Sequence, residues 1–397
     1  MTGGEVPVGR RVAQWRVRRR MTQQMLADRL GKSKSWVDKV ERGVRALDRF
    51  SVIQDLARVL RVEPAALLGR ETQAAVDGVD GVDGIRAALA RYGVSPTASA
   101  GPPMRAAHDL GLRVEHARSA YRHARYSQLL RLIPDLLDTA RHAHERGGDD
   151  ATGLLVRAYQ ITASVLVKLG EPDVAWLAAD RAVTVAAGDP RWTAIAAVPL
   201  SQALRTAGRG RLAAMVTIAA ANRIASAERH DPSADGWALS GTLWVEAALA
   251  AASCGDARRT AEWLDRAAEI AERADGGRDA DHSGFGPVAV EVARVAAAVE
   301  LGDGGAAVAR HEATVREPWW LRLPVEHRAA HLVDAARAYL QVGDLLRAGR
   351  ALTDVDRIAP EEVRVRPLAR TLIGEVARGG PAPGGVAHLA TAIGLSR

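Results

Sequence analysis

The sequence predicts an all-α protein: a small N-terminal domain of five short helices, then a long superhelix of helical hairpins. Three observations carry this prediction. Hydrophobic residues make up 48% of the 397 residues but aromatics only 4%, so the core must be built from small and aliphatic side chains. Ala is abundant, and Ala and Leu are good helix formers. No sustained period-2 run rich in Val, Ile and Thr argues for strands. Finally, glycine-containing turns recur through the second half at intervals near 40 residues, the spacing of stacked helical hairpins.

In residues 1–70 the first helix is predicted over Val8 to Arg20, with Val12, Trp15 and Arg19 near its buried side. The segment Thr22 to Gly43, TQQMLADRLGKSKSWVDKVERG, then meets the demands of two helices crossing over a tight turn. Leu26 and Leu30 face the core from the first helix of the pair, and Val37 and Val40 from the second. Ala27 sits at the crossing, where a larger side chain would push the helices apart. Gly31 falls in the turn, where positive φ is required. Thr22 and Ser33 are the candidate N-caps. Val52, Ile53, Leu56, Ala57 and Leu60 give the i, i+3, i+4 pattern of a fourth helix, and Pro64 to Leu68 closes a fifth.

Charge is distributed unevenly. Residues 1–70 hold 16 Lys or Arg against 7 Asp or Glu, while the rest of the chain holds 38 against 40. The whole positive excess of a chain with net charge +7 therefore lies in the first 70 residues, as expected of a small domain that meets a phosphate backbone. Only four lysines occur, and Lys32, Lys34 and Lys39 are three of them. The Arg-, Ala- and Gly-rich composition points to a high-GC genome.

Five short helices with this motif in second and third place resemble the lambda-repressor-like, or XRE-type, helix-turn-helix DNA-binding domain. The resemblance covers residues 9–69 and rests on Thr22-Gln23 ahead of Leu26-Ala27, on Gly31 and on Glu41-Arg42-Gly43. It implies that the second helix of the motif, Ser33 to Arg42, lies in the major groove of double-stranded DNA. Lys34 and Ser35 match positions that touch base edges, and Lys reads guanine O6 and N7. Ser33 and Asp38 share the exposed face, with Lys32 at its start. Gln23 matches a phosphate-contacting position that braces the base contact, and Lys39 and Arg42 are candidate phosphate ligands. Arg45 and Arg49 are expected to reach the backbone from the following loop. Trp36 either contacts sugars or a thymine methyl or packs against the fourth helix, with partial packing preferred. Arg16 and Glu41 match a buried ion pair of the family and are not counted as DNA contacts.

Residues 71–103 are expected to form a linker. VDGVDGVDG (76–84) and SPTASAGPP (95–103) are breaker clusters, with one short helix possible over Ile85 to Tyr92. Residues 104–397 are expected to form the repeat domain. Gly170, Gly208, Gly255, Gly302 and Gly343 punctuate it at spacings of 38, 47, 47 and 41 residues, each suited to end one helix in the left-handed conformation. The array resembles tetratricopeptide-type repeats, less regular and longer in period. A helix-turn-helix followed by such an array resembles two groups, the peptide-sensing regulators of Gram-positive bacteria and large actinobacterial XRE-type regulators, the second more closely through AYRHARYSQLLRLIPDLLDTA (120–140). That resemblance implies a sensor or dimerisation module with a concave face.

Seven of nine Trp lie in the repeat region. Trp192, Gln202, Trp237, Trp244, Phe285 and Trp319 are the candidate ligand-binding residues, although core packing is the favoured role for the tryptophans. A single Asn, Asn222, argues against a peptide-backbone clamp built from Asn; Gln160, Gln202 and Arg205 are possible substitutes. His116, His123, His142 and His144 lack metal-ligand spacing and are read as surface residues. The single cysteine, Cys254, allows no internal disulfide. No phosphate loop, nucleophile elbow or carboxylate pair stands out, so neither an enzyme nor a cofactor nor a metal is expected. The N-terminus lacks an apolar signal segment and no stretch has the length of a membrane span, so no membrane partner is expected and the location is cytoplasmic, at the nucleoid. The reading is a homodimeric, sequence-specific transcription regulator on a palindromic operator, with repeats that sense a signalling small molecule or peptide. The competing reading is a DNA-tethered scaffold whose repeats recruit a partner protein. A groove lined by charged side chains would favour the scaffold, a closed aromatic pocket the sensor.

Overall fold

The computed structural model describes residues 8–19, 21–43, 50–60, 73–91, 106–147, 150–186, 188–228, 234–274, 285–379 and 384–395. Among the described residues every regular element is helical. No described helix is long and apolar enough to cross a membrane. The chain divides into two compact units, residues 1–77 with 388–397, and residues 78–387.

The first unit contains α1 (Val8–Arg18), α2 (Gln23–Leu30), α3 (Lys34–Glu41) and α4 (Phe50–Leu60). Both predicted caps form: the hydroxyl of Thr22 accepts from the Met25 N–H and that of Ser33 from the Trp36 N–H, each at 3.1 Å. Gly31 ends α2 at φ 62°, ψ 34°, and Lys32 N–H then reaches back to Ala27 O at 2.9 Å, satisfying a carbonyl the helix leaves unpaired. Val12, Leu26, Ala27, Val37, Leu56, Ala57 and Leu60 close the core, with Trp15, Leu30, Trp36 and Val52 packed partly against it. Each fully buried Leu or Val there contributes roughly 1.5–3 kcal/mol. Gly9 lets α1 cross α3 closely, since a Cβ there would stand 2.0 Å from Val40 O. Arg19, assigned to the buried side of α1, is exposed and held by its Nε–H donating to Leu60 O at 3.0 Å. The expected fifth helix at Pro64 to Leu68 lies outside the described residues, as do Arg45, Arg49 and the side chain of Ile53.

The described part of the stretch expected to be a linker, residues 73–91, is largely helical, while the SPTASAGPP cluster lies outside the described residues. Helix α5 (Gln73–Leu89) runs through the Val-Asp-Gly repeat, and the short helix expected over Ile85 to Tyr92 is the end of this longer one. Glycine costs a helix about 1 kcal/mol relative to Ala, but packing outweighs that here. Val82, Ile85, Ala88 and Leu89 are buried, and Gly81 lies so close to Leu130 that a Cβ would meet it at 2.7 Å. The glycines read as breakers include one whose missing side chain admits a neighbour.

Six hairpins follow: α6 (Ala106–Arg122) with α7 (Tyr126–Glu145), α8 (Ala151–Lys168) with α9 (Pro172–Val185), α10 (Pro190–Thr206) with α11 (Gly210–Glu228), α12 (Ala234–Ala252) with α13 (Ala257–Ala274), α14 (Pro287–Glu300) with α15 (Gly304–Thr314), and α16 (Val325–Gln341) with α17 (Leu345–Ile358). All five predicted glycines occupy the turns of the last five hairpins, at φ between 72° and 80°, where a Cβ would be strained. The first hairpin turns on Ala124 at φ 53°, so no glycine marked it. The first helix of each hairpin packs on the first helix of the next, and α16 also touches α6. Helices α18 (Pro360–Val365), α19 (Pro367–Arg378) and α20 (Gly384–Ala392) complete the chain.

Small residues set the close approaches. Ala194, Ala197, Ala247 and Ala267 pack with Leu243, Trp244 and Val290. Gly241 lies beneath the Phe285 ring, where a Cβ would stand 2.0 Å away.

Candidate nucleic-acid interface and ligand groove

Helix α3 separates its two faces cleanly. Val37 and Val40 are buried at 1% exposure, whereas Lys32, Ser33, Lys34, Ser35 and Lys39 are exposed. Trp36 is half-buried against the domain core, which is the packing role preferred from sequence. Asp38 and Arg42 are paired with each other at 2.5 Å, an exposed i, i+4 contact worth about 0.3–0.5 kcal/mol that is readily exchanged for another anion. The expected family ion pair is present. Arg16 donates to Glu41 from Nε at 2.6 Å and from a terminal nitrogen at 3.0 Å, and also to Met21 O at 2.8 Å. Its hydrogen bond to Glu41 holds the guanidinium pKa above its ordinary value. Gln23 donates its amide at 2.9 Å to Glu41 Oε2, which also accepts from the Arg16 terminal nitrogen, so the residue assigned to bracing is tied to the pair that joins α1 to α3.

In the second unit the first helices of the hairpins enclose a concave groove of about 700 Å³. Of the candidate ligand residues, Gln202 and Phe285 line it, as do Gln160 and Arg205. The four tryptophans are not among its lining. Trp192 covers Gly153, where a Cβ would meet the ring at 2.2 Å. Trp237 packs against the core, Trp244 is buried within it, and Trp319 is 51% exposed beneath the Arg322 guanidinium. Trp192, Trp237 and Trp244 fill space in the packing of the helices while Trp319 is exposed, so a tryptophan count did not locate the groove.

The groove contains side chains that sequence reading passed over. On α8, Arg157, Ser164 and Lys168 line it beside the already named Gln160, a stripe at helical spacing that pattern alone does not distinguish from a solvated face. Glu246, buried in an otherwise apolar stretch of α12, accepts from Gln202 at 2.6 Å and from Arg205 at 3.2 Å. At one end, Lys168 meets both Glu326 and Glu362. Glu362 is fully buried and also accepts from the Tyr126 hydroxyl at 2.6 Å and from Arg366 at 3.1 Å. Burial alone would raise its pKa, but Lys168 and Arg366 bring it down to about 2.

His331, also on the wall, shares a 2.8 Å hydrogen bond with His311 and packs edge-on against Trp320. Burial, and then the neighbouring ring, lower its pKa to about 3. The histidines singled out from sequence lie elsewhere: His116, His123 and His142 are exposed and His144 half-buried.

Residues 7–68 match the family model described as a helix-turn-helix domain. The N-terminal part of the chain is therefore a helix-turn-helix domain, the kind of module that presents the second helix of its pair to DNA. No curated protein matches the chain. Among solved structures it is similar to PlcR of Bacillus thuringiensis, crystallised in complex with the peptide PapR7 and DNA, at 11% identity and a TM-score of 0.37. That match covers 78% of this chain and 93% of that one.

Proposed function

We propose that this chain is a sequence-specific DNA-binding transcription regulator whose helical-repeat unit senses a small molecule or peptide, working as a homodimer at the cytoplasmic nucleoid. The observation that carries the DNA-binding reading is the two-faced α3: Val37 and Val40 buried, Lys34, Ser35 and Lys39 exposed. A helix anchored by its apolar face and capped at Ser33 offers a rigid basic edge to the major groove. Lys34 and Ser35 read base edges in this proposal. Lys32, Ser33, Lys39, Arg42 and Gln23 contact or brace the backbone, Arg45 and Arg49 extend that contact, and Trp36 and Asp38 border it.

The test separates base readout from phosphate attraction. Lys34→Ala is expected to relax preference at one base pair by about 1–3 kcal/mol. Lys39→Ala is expected to weaken all sequences alike and to reduce the salt slope of log K by about one unit. Binding isotherms on a selected operator and its single-base variants, at several salt concentrations, check both. Equal, sequence-independent losses would remove Lys34 from base readout.

The dimer proposal follows from site geometry. A single helix-turn-helix domain reads few base pairs, and such domains pair on half-sites about 34 Å apart. Among the described residues of the first unit most apolar side chains are taken up by its own core, with Val17 and Met25 exposed, so residues 78–387 are the expected source of the dimer contact. Light scattering is expected to give twice the chain mass; a monomer at concentrations that saturate a palindromic operator would overturn the proposal.

The charged lining of the groove is the observation that favours the second reading, a DNA-tethered scaffold that recruits a partner protein. Against it, the groove volume falls within the range of about 300–1,000 Å³ usual for small ligands.

A further inference from the structure

The groove has an excess of hydrogen-bond donors over acceptors. Six Lys or Arg line it against three Asp or Glu. Each of the three carboxylates is already engaged: Glu246 by Gln202 and Arg205, Glu326 by Lys168, and Asp334 by Arg337. On the basic side, Arg122 is half-buried at the end of α6 with no acidic partner among the described residues. Arg205 Nε is buried with no acceptor, and the His331 ring nitrogen turned away from His311 is buried with no hydrogen-bond partner. A buried donor without an acceptor costs free energy that a bound acceptor returns.

Four of the six basic side chains, Arg118, Arg122, Arg157 and Lys168, stand on α6 and α8. Helix α14 lines the groove with apolar side chains only, and α8, α10 and α12 contribute both kinds. Val198 on α10, Leu239 and Val245 on α12, Phe285, and Val292 on α14 form the apolar part, and all five are only half-buried. Arg205 lies on α10. Half-buried apolar side chains facing a concavity favour an apolar occupant, and charge-assisted bonds to guanidinium favour an anionic one. Arg122 also complements the dipole at the end of its own helix, so the test compares ligands that differ only in charge.

We infer that the groove binds a small anionic amphiphile. Its acid group is held among the basic side chains of the lining, Arg122 first among them, and its apolar body lies along Val198, Leu239, Phe285 and Val292. The inference rests on the reading of the second unit as a ligand sensor and names the chemistry of what is sensed.

Two fluorescent probes test it on the full-length protein. 1-Anilinonaphthalene-8-sulfonate carries an anionic head, and N-phenyl-1-naphthylamine is the same ring system without it. The sulfonate is expected to bind tighter by about tenfold, the scale of one charge-assisted hydrogen bond. Arg122→Gln is expected to remove most of that difference while leaving the neutral probe unchanged. Val198→Asp, which puts a charge on the apolar wall, is expected to weaken both probes; thermal melting checks that each variant is folded. Equal affinities for the two probes, equal losses of both in Arg122→Gln, or sulfonate binding unaffected by Val198→Asp would each overturn the inference. Affinity for double-stranded DNA, selected from a random library, is measured with and without each probe. Preferential sulfonate binding with unchanged DNA affinity upholds the anionic site and counts against the sensor reading. A neutral probe that binds better and shifts DNA affinity does the reverse.

Discussion

Glu362→Ala is expected to cost about 3–5 kcal/mol of stability, the usual loss when one member of a buried ionic cluster is deleted. The carboxylate is fully buried and serves three donors: Tyr126 on α7 and Lys168 on α8, both far away in sequence, and Arg366 four residues on, just before α19. Its removal leaves Arg366 charged and Tyr126 without that acceptor. Lys168 keeps Glu326, so the damage falls mainly on the other two. Glu362→Gln retains an acceptor for Tyr126 but not the charge, and is expected to lose less. Urea unfolding followed by circular dichroism measures both, the midpoint falling in the order wild type, Gln, Ala. A loss below about 1 kcal/mol in the Ala variant would mean the cluster is not a stability element.

Acidification is expected to destabilise the second unit well before Glu362 protonates. His331 is held neutral in the folded state, with a pKa of about 3, while in the unfolded chain it titrates near 6.5. Between those values the unfolded state binds the extra proton, so stability falls as pH falls. The contribution is complete above about 6.5 and is lost at about 1.4 kcal/mol per pH unit below it. Its hydrogen-bonded neighbour His311, also lowered by burial, adds to the same slope. Glu362 acts in a lower window: its pKa of about 2, against an ordinary 4.5, makes its stabilisation present above about 4.5 and lost as pH falls toward 2. Unfolding free energy measured from pH 7 to 4.5 should therefore decline steeply in the wild type. In His331→Gln, which keeps a hydrogen-bonding group but cannot titrate, the decline should be shallower. Matching slopes in the two proteins would show that His331 gains its proton without opening the fold.

Legibility followed the range of the interactions. Thr22, Gly31 and Ser33 were readable because caps and left-handed turns depend on a residue and its neighbours three or four positions away. The five turn glycines were readable for the same reason. Arg16 and Glu41 were paired only through a family resemblance, since 25 residues separate them.

The Val-Asp-Gly run misled because local propensity penalises glycine in a helix, while the decisive contact, Gly81 against Leu130, is non-local. The tryptophans, for which core packing was the favoured reading, did not mark the groove because a large ring serves a core and a pocket equally well in sequence. His311 and His331, 20 residues apart, and Glu362 and Lys168, 194 apart, belong to no short motif.

By itself, then, the sequence determined the helical class, the helix-turn-helix with its basic outer face, and the glycine-marked turns of five hairpins, all consequences of backbone conformation and short-period patterning. Only the tertiary structure decided which stripe of each hairpin faces inward, that α16 returns to α6, and therefore which arginines, glutamates and histidines share one groove. Those juxtapositions arise from the rotation between successive hairpins, set by side-chain packing between residues far apart in the chain.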